Sequence, residues 1–160
     1  MLGALLPGAE HLQNLHPLVV HFPLAFLPGA ALVYFVAWLT GRESVAWTGL
    51  WLLVLGTLAG AVAAATGLYA IEGVMVDATV HEHLLDVHKR WMLATVGLAI
   101  VLSAWALVVR PAPQRSWVLF ALGLLVLLAL MTKGADYGGR LVYDYNAGGS
   151  ACGQPIEFTH

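Results

Sequence analysis

The sequence predicts an all-α membrane protein, a bundle of four transmembrane helices that run up, down, up and down. Hydrophobic residues make up 60% of the chain and charged residues only 10%, and the mean hydropathy is +0.81. A soluble domain of 160 residues could not bury so much apolar surface. The apolar residues also fall into four separate runs, each near the roughly 20 residues that cross a bilayer as a helix.

The four runs define the predicted helices. They are Pro17 to Leu39, Val45 to Ile71, Trp91 to Val109, and Trp117 to Met131. The third helix is expected to begin earlier, near His81, because Leu84 and Leu85 continue its apolar pattern. Residues 1–135 are thus predicted to form the transmembrane domain, and residues 136–160 a C-terminal tail outside the membrane.

Two short connections predict the topology. Residues 40–44 and 110–115 leave little chain between successive helices, so the helices that they join must be antiparallel neighbours. These loops hold Arg42, Arg110 and Arg115. The opposite face also holds four Lys and Arg residues, but two of them lie within helix 3, and we therefore expect the short loops to be cytoplasmic. Both termini would then be extracytoplasmic, in a bacterial inner membrane.

Charge and motifs argue against several function classes. The net charge of −2 at pH 7 gives no basic field for nucleic acid. The sequence has no Walker loop, no dinucleotide-binding glycine motif and no Ser-His-Asp grouping with a nucleophile turn. The triplet His81-Glu-His83 also lacks the HExxH spacing of zinc proteases. A stand-alone enzyme is therefore disfavoured.

Histidines gather at the face where helices 1 and 3 begin. Ionisable groups inside a membrane are costly and usually functional. Along a regular helix, His21 lies about 7.5 Å deeper than His16, at a depth similar to that of His88. Because helices 1 and 3 run parallel across the bundle, His21 and His88 can face each other as axial ligands of one non-covalent haem b.

Other residues are assigned to the same face. His16 and His81 are candidates for contact with the cofactor, although a shallow histidine can equally cap a helix. Glu72, His83 and Asp136 are candidates for hydrogen bonding around the ligands. Helix 2 adds a stripe of small residues, which suits close helix packing and also leaves room for a flat ligand; these are Gly56, Gly60, Ala63, Ala64 and Gly67.

Three motifs carry a resemblance to a known family. The segment His16-Pro-Leu-Val-Val-His21-Phe-Pro23 resembles the HPxxVHFP signature in the first helix of the DUF2231 family of small four-helix membrane proteins. The segment from Gly134 to Tyr143 is similar to the family's closing segment, and His88 matches its third-helix histidine. The resemblance implies a four-helix membrane fold. Through the association of family members with cytochrome-type domains, it also implies haem b binding or electron transfer.

These observations lead to one functional hypothesis and two alternatives. We expect a b-type cytochrome-like subunit with one haem b per chain, which transfers electrons between a quinone or membrane partner and an extracytoplasmic acceptor. Its protein partners would be a cytochrome c, another redox subunit or a second copy of the chain, with membrane lipid around it. One alternative is a non-haem metal site built from the same histidines with Glu72. The other is a non-catalytic membrane anchor or scaffold.

Overall fold

The fold is that of a computed structural model, which describes residues 15–71, 78–145 and 147. Four long helices account for nearly all of these residues: α1 His16–Thr40, α2 Glu43–Ile71, α3 His81–Val109 and α4 Gln114–Tyr143. Each is long and apolar enough to cross a membrane. The predicted all-α, four-helix fold is confirmed, and no strand occurs in the part of the chain that the structure describes.

Helix α1 is interrupted once near its start. It comprises His16–Val19 and His21–Thr40, and the backbone of Val20 between them stays helical. Pro23 has no N–H to donate to the carbonyl of Val19, so one bond of the helical ladder is missing at this point. The axis continues because the N–H of Val20 donates to the carbonyl of His16. His16 therefore occupies the first turn of a continuous span.

Helix α3 begins with a wide turn. A short helix, Ala78–Val80, leads into the π-helical segment His81–Leu85, and regular α-helix follows over Asp86–Val109. The N–H of Asp86 donates to the carbonyl of His81, which is the five-residue spacing of a π-turn. Side chains before this turn are therefore rotated, relative to those after it, from the positions that a regular α-helix would give them.

Helix α4 is longer than its apolar run. It opens with the 3-10 turn Gln114–Ser116 and continues as α-helix over Trp117–Tyr143, past residue 135, where the tail was expected to begin. Asp136 and Arg140 on the added turns are exposed, so the helix carries polar side chains without burying them. The division between a membrane domain and an extramembrane tail stays a prediction.

The four helices form a closed ring. α1 packs on α2, α2 on α3 and α3 on α4, and α4 packs back on α1. Gly41 adopts a left-handed conformation with φ 64° and ends α1, which lets α2 begin two residues later. Neighbouring helices are antiparallel, so α1 and α3 begin at the same face of the bundle, where α2 and α4 end.

The end of the bundle near the short loops is solidly packed. Tyr34 is fully buried, and its hydroxyl donates to the carbonyl of Pro111 at 2.8 Å. Its ring meets Phe120 edge to face, with 5.1 Å between centroids. The ring also lies on Gly49, where a Cβ would come within 3.0 Å of it. Three helices and the 110–113 connection are thus fastened together at this end.

A pair of hydroxyls joins α2 to α3 in the middle of the bundle. Thr57 donates to the carbonyl of Leu53 at 2.8 Å, and its oxygen lies 2.8 Å from the hydroxyl of Ser103. Both side chains are buried. Hydrogen bonds of this kind between membrane helices contribute about 0.6 to 2 kcal/mol each. The pair therefore fixes the register between the two hairpins, α1–α2 and α3–α4.

The topology of four spans predicts on which side of the membrane a fused reporter domain will lie. A reporter fused after His160 should be on the same side of the membrane as one inserted at Asp77, a position outside the described residues, because two spans separate them. A reporter in residues 110–115 should be on the opposite side. Fusions to alkaline phosphatase and to green fluorescent protein, which are active on opposite sides, measure this. Opposite locations for the Asp77 and His160 reporters would contradict the topology.

Removing the Tyr34 hydroxyl should destabilise the bundle. Tyr34→Phe leaves the buried carbonyl of Pro111 without its donor, and the expected loss is about 1 kcal/mol of the free energy of unfolding. Unfolding by sodium dodecyl sulfate in mixed micelles measures it. Tyr69→Phe is the matched control, because Tyr69 is 79% exposed. Equal stability of the two variants would mean that the Tyr34 hydrogen bond contributes nothing.

Candidate functional site

The opposite end of the bundle contains a cavity. Its volume is about 480 Å³, and all four helices contribute to its wall. This volume lies within the range of roughly 300 to 1,000 Å³ that is typical of small-molecule and cofactor sites. The wall is mainly apolar and includes Leu24, Leu27, Met92, Val96 and Met131. Three histidines and one lysine also reach it: His16, His21, His88 and Lys89.

His16 is held against α2 by a hydrogen bond to the backbone. Its Nδ1 lies 2.9 Å from the carbonyl oxygen of Ala63. A carbonyl can only accept, so Nδ1 carries the proton and donates it, and Nε2 of the neutral ring keeps its lone pair. The ring packs on Gly67, where a Cβ would lie 2.8 Å from Cε1 of the imidazole. A glycine is therefore required for the ring to lie so close to α2.

His88 is held against α4 in the same way. Its Nδ1 lies 2.7 Å from the carbonyl oxygen of Gly134, so Nδ1 again donates and Nε2 is left unprotonated in the neutral ring. The ring packs on Gly138, where a Cβ would lie 2.8 Å from Cε1. Gly134 itself leaves room for the side chain of Met92. Glycines thus shape both the hydrogen bond and the packing of this imidazole.

His16 and His88 occupy equivalent positions in two similar hairpins. His88 follows His16 by 72 residues, and both the acceptor residues (Ala63 and Gly134) and the packing glycines are separated by 71. Because α1 and α3 run in the same direction, the hairpins are related by an approximate two-fold axis along the bundle. The two imidazoles line one cavity.

The same offsets relate the buried positions of the two hairpins. Between α1 and α3 the offset is 72, and the buried pairs are Pro23 with Thr95, Leu27 with Ala99, Ala30 with Leu102, and Tyr34 with Ala106. Between α2 and α4 the offset is 71, and the pairs are Gly49 with Phe120, Leu53 with Leu124, Gly56 with Leu127, Gly60 with Met131, and Ala63 with Gly134. The repeat therefore extends from the cavity into the packed part of the bundle.

The other candidate residues lie around the mouth of the cavity. His21 lines the cavity and is exposed. His81 is 41% exposed, with its Nδ1 3.6 Å from a carboxylate oxygen of Asp86. His83 and Asp136 are exposed. Glu72 lies outside the described residues, and the pairing of His21 with His88 stays a prediction.

A repeated sequence motif could have singled out His16. The heptapeptide that ends at His16, Glu-His-Leu-Gln-Asn-Leu-His, matches the one that ends at His88, Glu-His-Leu-Leu-Asp-Val-His, at four of seven positions. Searching for internal repeats before assigning ligands would have paired these two histidines. At the position that corresponds to His21, the second half has Leu93. The sequence gives no comparable signal for the backbone acceptors, because every residue has a carbonyl. The packing glycines are also hard to recognise among the 17 glycines of the chain.

The side chains around the cavity limit the kind of metal or cofactor that it could bind. No three His, Cys, Asp or Glu side chains converge to hold a metal ion in the described ranges 15–71, 78–145 and 147. The wall of the cavity instead has two imidazoles, one held by α2 and the other by α4. Such a set suits a ligand whose metal already has other donors of its own.

Comparison with known families agrees with the fold. A family model described as "Predicted membrane protein (DUF2231)" matches residues 12–151. The match includes all four helices and both histidines that are held by backbone carbonyls. Neither a curated protein nor a solved structure shows significant similarity to the chain. Since the family model covers most of its length, this chain is a membrane protein that belongs to the DUF2231 family.

Proposed function

We propose that this protein is a membrane-embedded b-type haem protein that transfers electrons, with His16 and His88 as the axial ligands of one haem. One observation carries the proposal. Two equivalent imidazoles, one from each hairpin, line a single apolar cavity, and each donates its Nδ1–H to a backbone carbonyl. This arrangement supports the proposal that the unprotonated Nε2 of each neutral ring is a metal ligand.

The surroundings of the two histidines fit this role. Histidines that bind metals almost always donate their second N–H to a carbonyl, carboxylate or water, because that bond fixes the ring and increases its basicity. Gly67 and Gly138 remove the steric barrier to that arrangement. The approximate two-fold axis provides two ligands, one per hairpin, which supports a stoichiometry of one haem per chain.

The features of the cavity favour a role in electron transfer over the binding and activation of oxygen or a substrate. Haem b supplies one-electron chemistry when it is bound. With His16 and His88 as a pair, the protein would hold the haem iron on both faces and would leave no open position for oxygen or a substrate. The walls formed by Leu27, Val96 and Met131 are apolar, and a low-dielectric surrounding of this kind changes redox potential.

The proposed direction of transfer rests on the charge of the loops. Arg42, Arg110 and Arg115 lie at the closed end of the bundle, which supports a cytoplasmic location for that end. The cavity and both termini would then face the outside of a bacterial inner membrane. A quinone in the lipid is a suitable donor, and a cytochrome c or another redox subunit is a suitable acceptor at the open end.

The axial pair can be tested by spectroscopy of single variants. His16→Ala and His88→Ala should each lose the six-coordinate low-spin spectrum of the purified protein, because each removes one axial nitrogen. His21→Ala should keep it, and His83→Ala is the exposed control. Absorption and electron paramagnetic resonance spectra before and after dithionite provide the measurement.

Two results of that experiment would reject the proposal. Loss of the low-spin spectrum in His21→Ala with retention in His16→Ala would assign the pair to His21 and His88. A parent protein without any Soret band after reconstitution with haem would remove the function itself. Metal in elemental analysis without that band would instead favour a non-haem site.

The packing glycines provide a second test. Gly67→Ala and Gly138→Ala each place a methyl group 2.8 Å from Cε1 of an imidazole, so the ring must move. Changes to groups that orient a metal ligand typically reduce affinity by about 10- to 100-fold, and we expect at least tenfold faster loss of haem to apomyoglobin. Gly97→Ala is the matched control, because no atom lies within 4 Å of the added methyl group. Equal loss rates in all three variants would contradict the assignment.

A further inference from the structure

The two-fold relation of the hairpins is broken at one charged residue. Lys89 follows His88 and reaches the cavity, and the equivalent residue in the first hairpin is Pro17. Of the described residues that line the cavity, Lys89 is the one with a permanent charge. The cavity wall therefore has a lysine on one side only, and the ammonium group of that lysine is paired with Asp86.

The ammonium group of Lys89 is held in place by its neighbours. Its Nζ lies 2.6 Å from one carboxylate oxygen of Asp86, and the other oxygen is 3.6 Å from Nδ1 of His81. The side chain of Lys89 is 34% exposed, so it is neither buried in the core nor free in solvent. An ammonium group has three N–H donors, and the bond to Asp86 uses one of them.

From this asymmetry we infer that Lys89 determines which ligands the cavity accepts and how they are oriented, by binding an anionic edge of the ligand. The inference rests on the haem-binding function proposed above. The apolar wall accommodates the body of a planar ligand, and the remaining donors of Lys89 can bind a carboxylate at the mouth. Haem b has two propionates on one edge. Lys89 would bind one of them, and Pro17, at the equivalent position of the other hairpin, has no charged side chain to bind the second.

The test compares haem b with its dimethyl ester, in which both propionates are uncharged. Each is titrated into the detergent-solubilised, haem-free full-length chain, and the ratio of the two dissociation constants is measured. Partially exposed ion pairs contribute up to about 1 kcal/mol, so the parent should bind the free acid roughly three- to fivefold more tightly than the ester. Partition of the two ligands into detergent is the same for every variant and cancels when their ratios are compared.

Three variants then locate the effect. Lys89→Gln should reduce the ratio roughly three- to fivefold relative to the parent, while it binds the ester as tightly as the parent, which also shows that the variant is folded. Lys89→Arg keeps the charge and should keep the preference. Arg90→Gln is the matched control, because Arg90 is exposed and does not reach the cavity wall.

The outcomes separate this inference from the function on which it rests. If the parent binds neither haem b nor the ester, the proposed function fails. If the parent and Lys89→Gln have the same ratio, haem binding stands and the role of Lys89 is overturned. A ratio in Arg90→Gln that falls as far as in Lys89→Gln would also overturn it, because the effect would then come from the general charge of the helix.

Discussion

The hydrogen bond from an imidazole N–H to a carbonyl on the neighbouring helix governs the architecture of the open end. Most carbonyls in a helix are already occupied by the N–H four residues later, and a second donor must approach from the side. Such an approach is possible only where the neighbouring helix has little side chain. Ala63 and Gly67 on α2, and Gly134 and Gly138 on α4, meet this requirement. The small residues of α2 and α4 therefore serve the histidines as well as the packing of helices.

The closed end provides the rigidity that such a site needs. Ligands must be held within about half an ångström of their productive positions by neighbours that do not move. Tyr34 joins α1 to the 110–113 connection, and Thr57 and Ser103 join α2 to α3. These contacts lie away from the cavity, so they hold the hairpins together without occupying its volume. The bundle is thus divided into a packed half and a hollow half.

The sequence predicted the four helices well and the details of their ends less well. Apolar runs of membrane length were sufficient to predict four helices, because in lipid the backbone has few other ways to satisfy its hydrogen bonds. The runs did not predict the end of α4, since Asp136 and Arg140 are polar residues that still belong to the helix. They also gave no sign of the π-turn at His81–Leu85, which changes the face that His81 presents relative to His88.

Depth along an ideal helix and the contacts of each histidine favour different partners for His88, and the pairing with His21 stays a prediction. The depth argument favoured His21 as the partner of His88. It took no account of the carbonyl acceptors at Ala63 and Gly134, because a sequence does not show which backbone carbonyls accept a side-chain hydrogen bond. The repeated heptapeptides that end at His16 and His88 did contain the relevant information. They indicate equivalence directly, because a repeated motif implies a repeated environment.

A hairpin that occurs twice within one chain has an evolutionary freedom that a symmetric dimer lacks. In a homodimer every substitution appears in both halves of the interface at once. Here each half can change alone, and several equivalent positions already differ: Gly60 corresponds to Met131, Pro17 to Lys89 and His21 to Leu93. Selection can therefore keep the paired histidines identical while it gives the two sides of the cavity different shapes and charges.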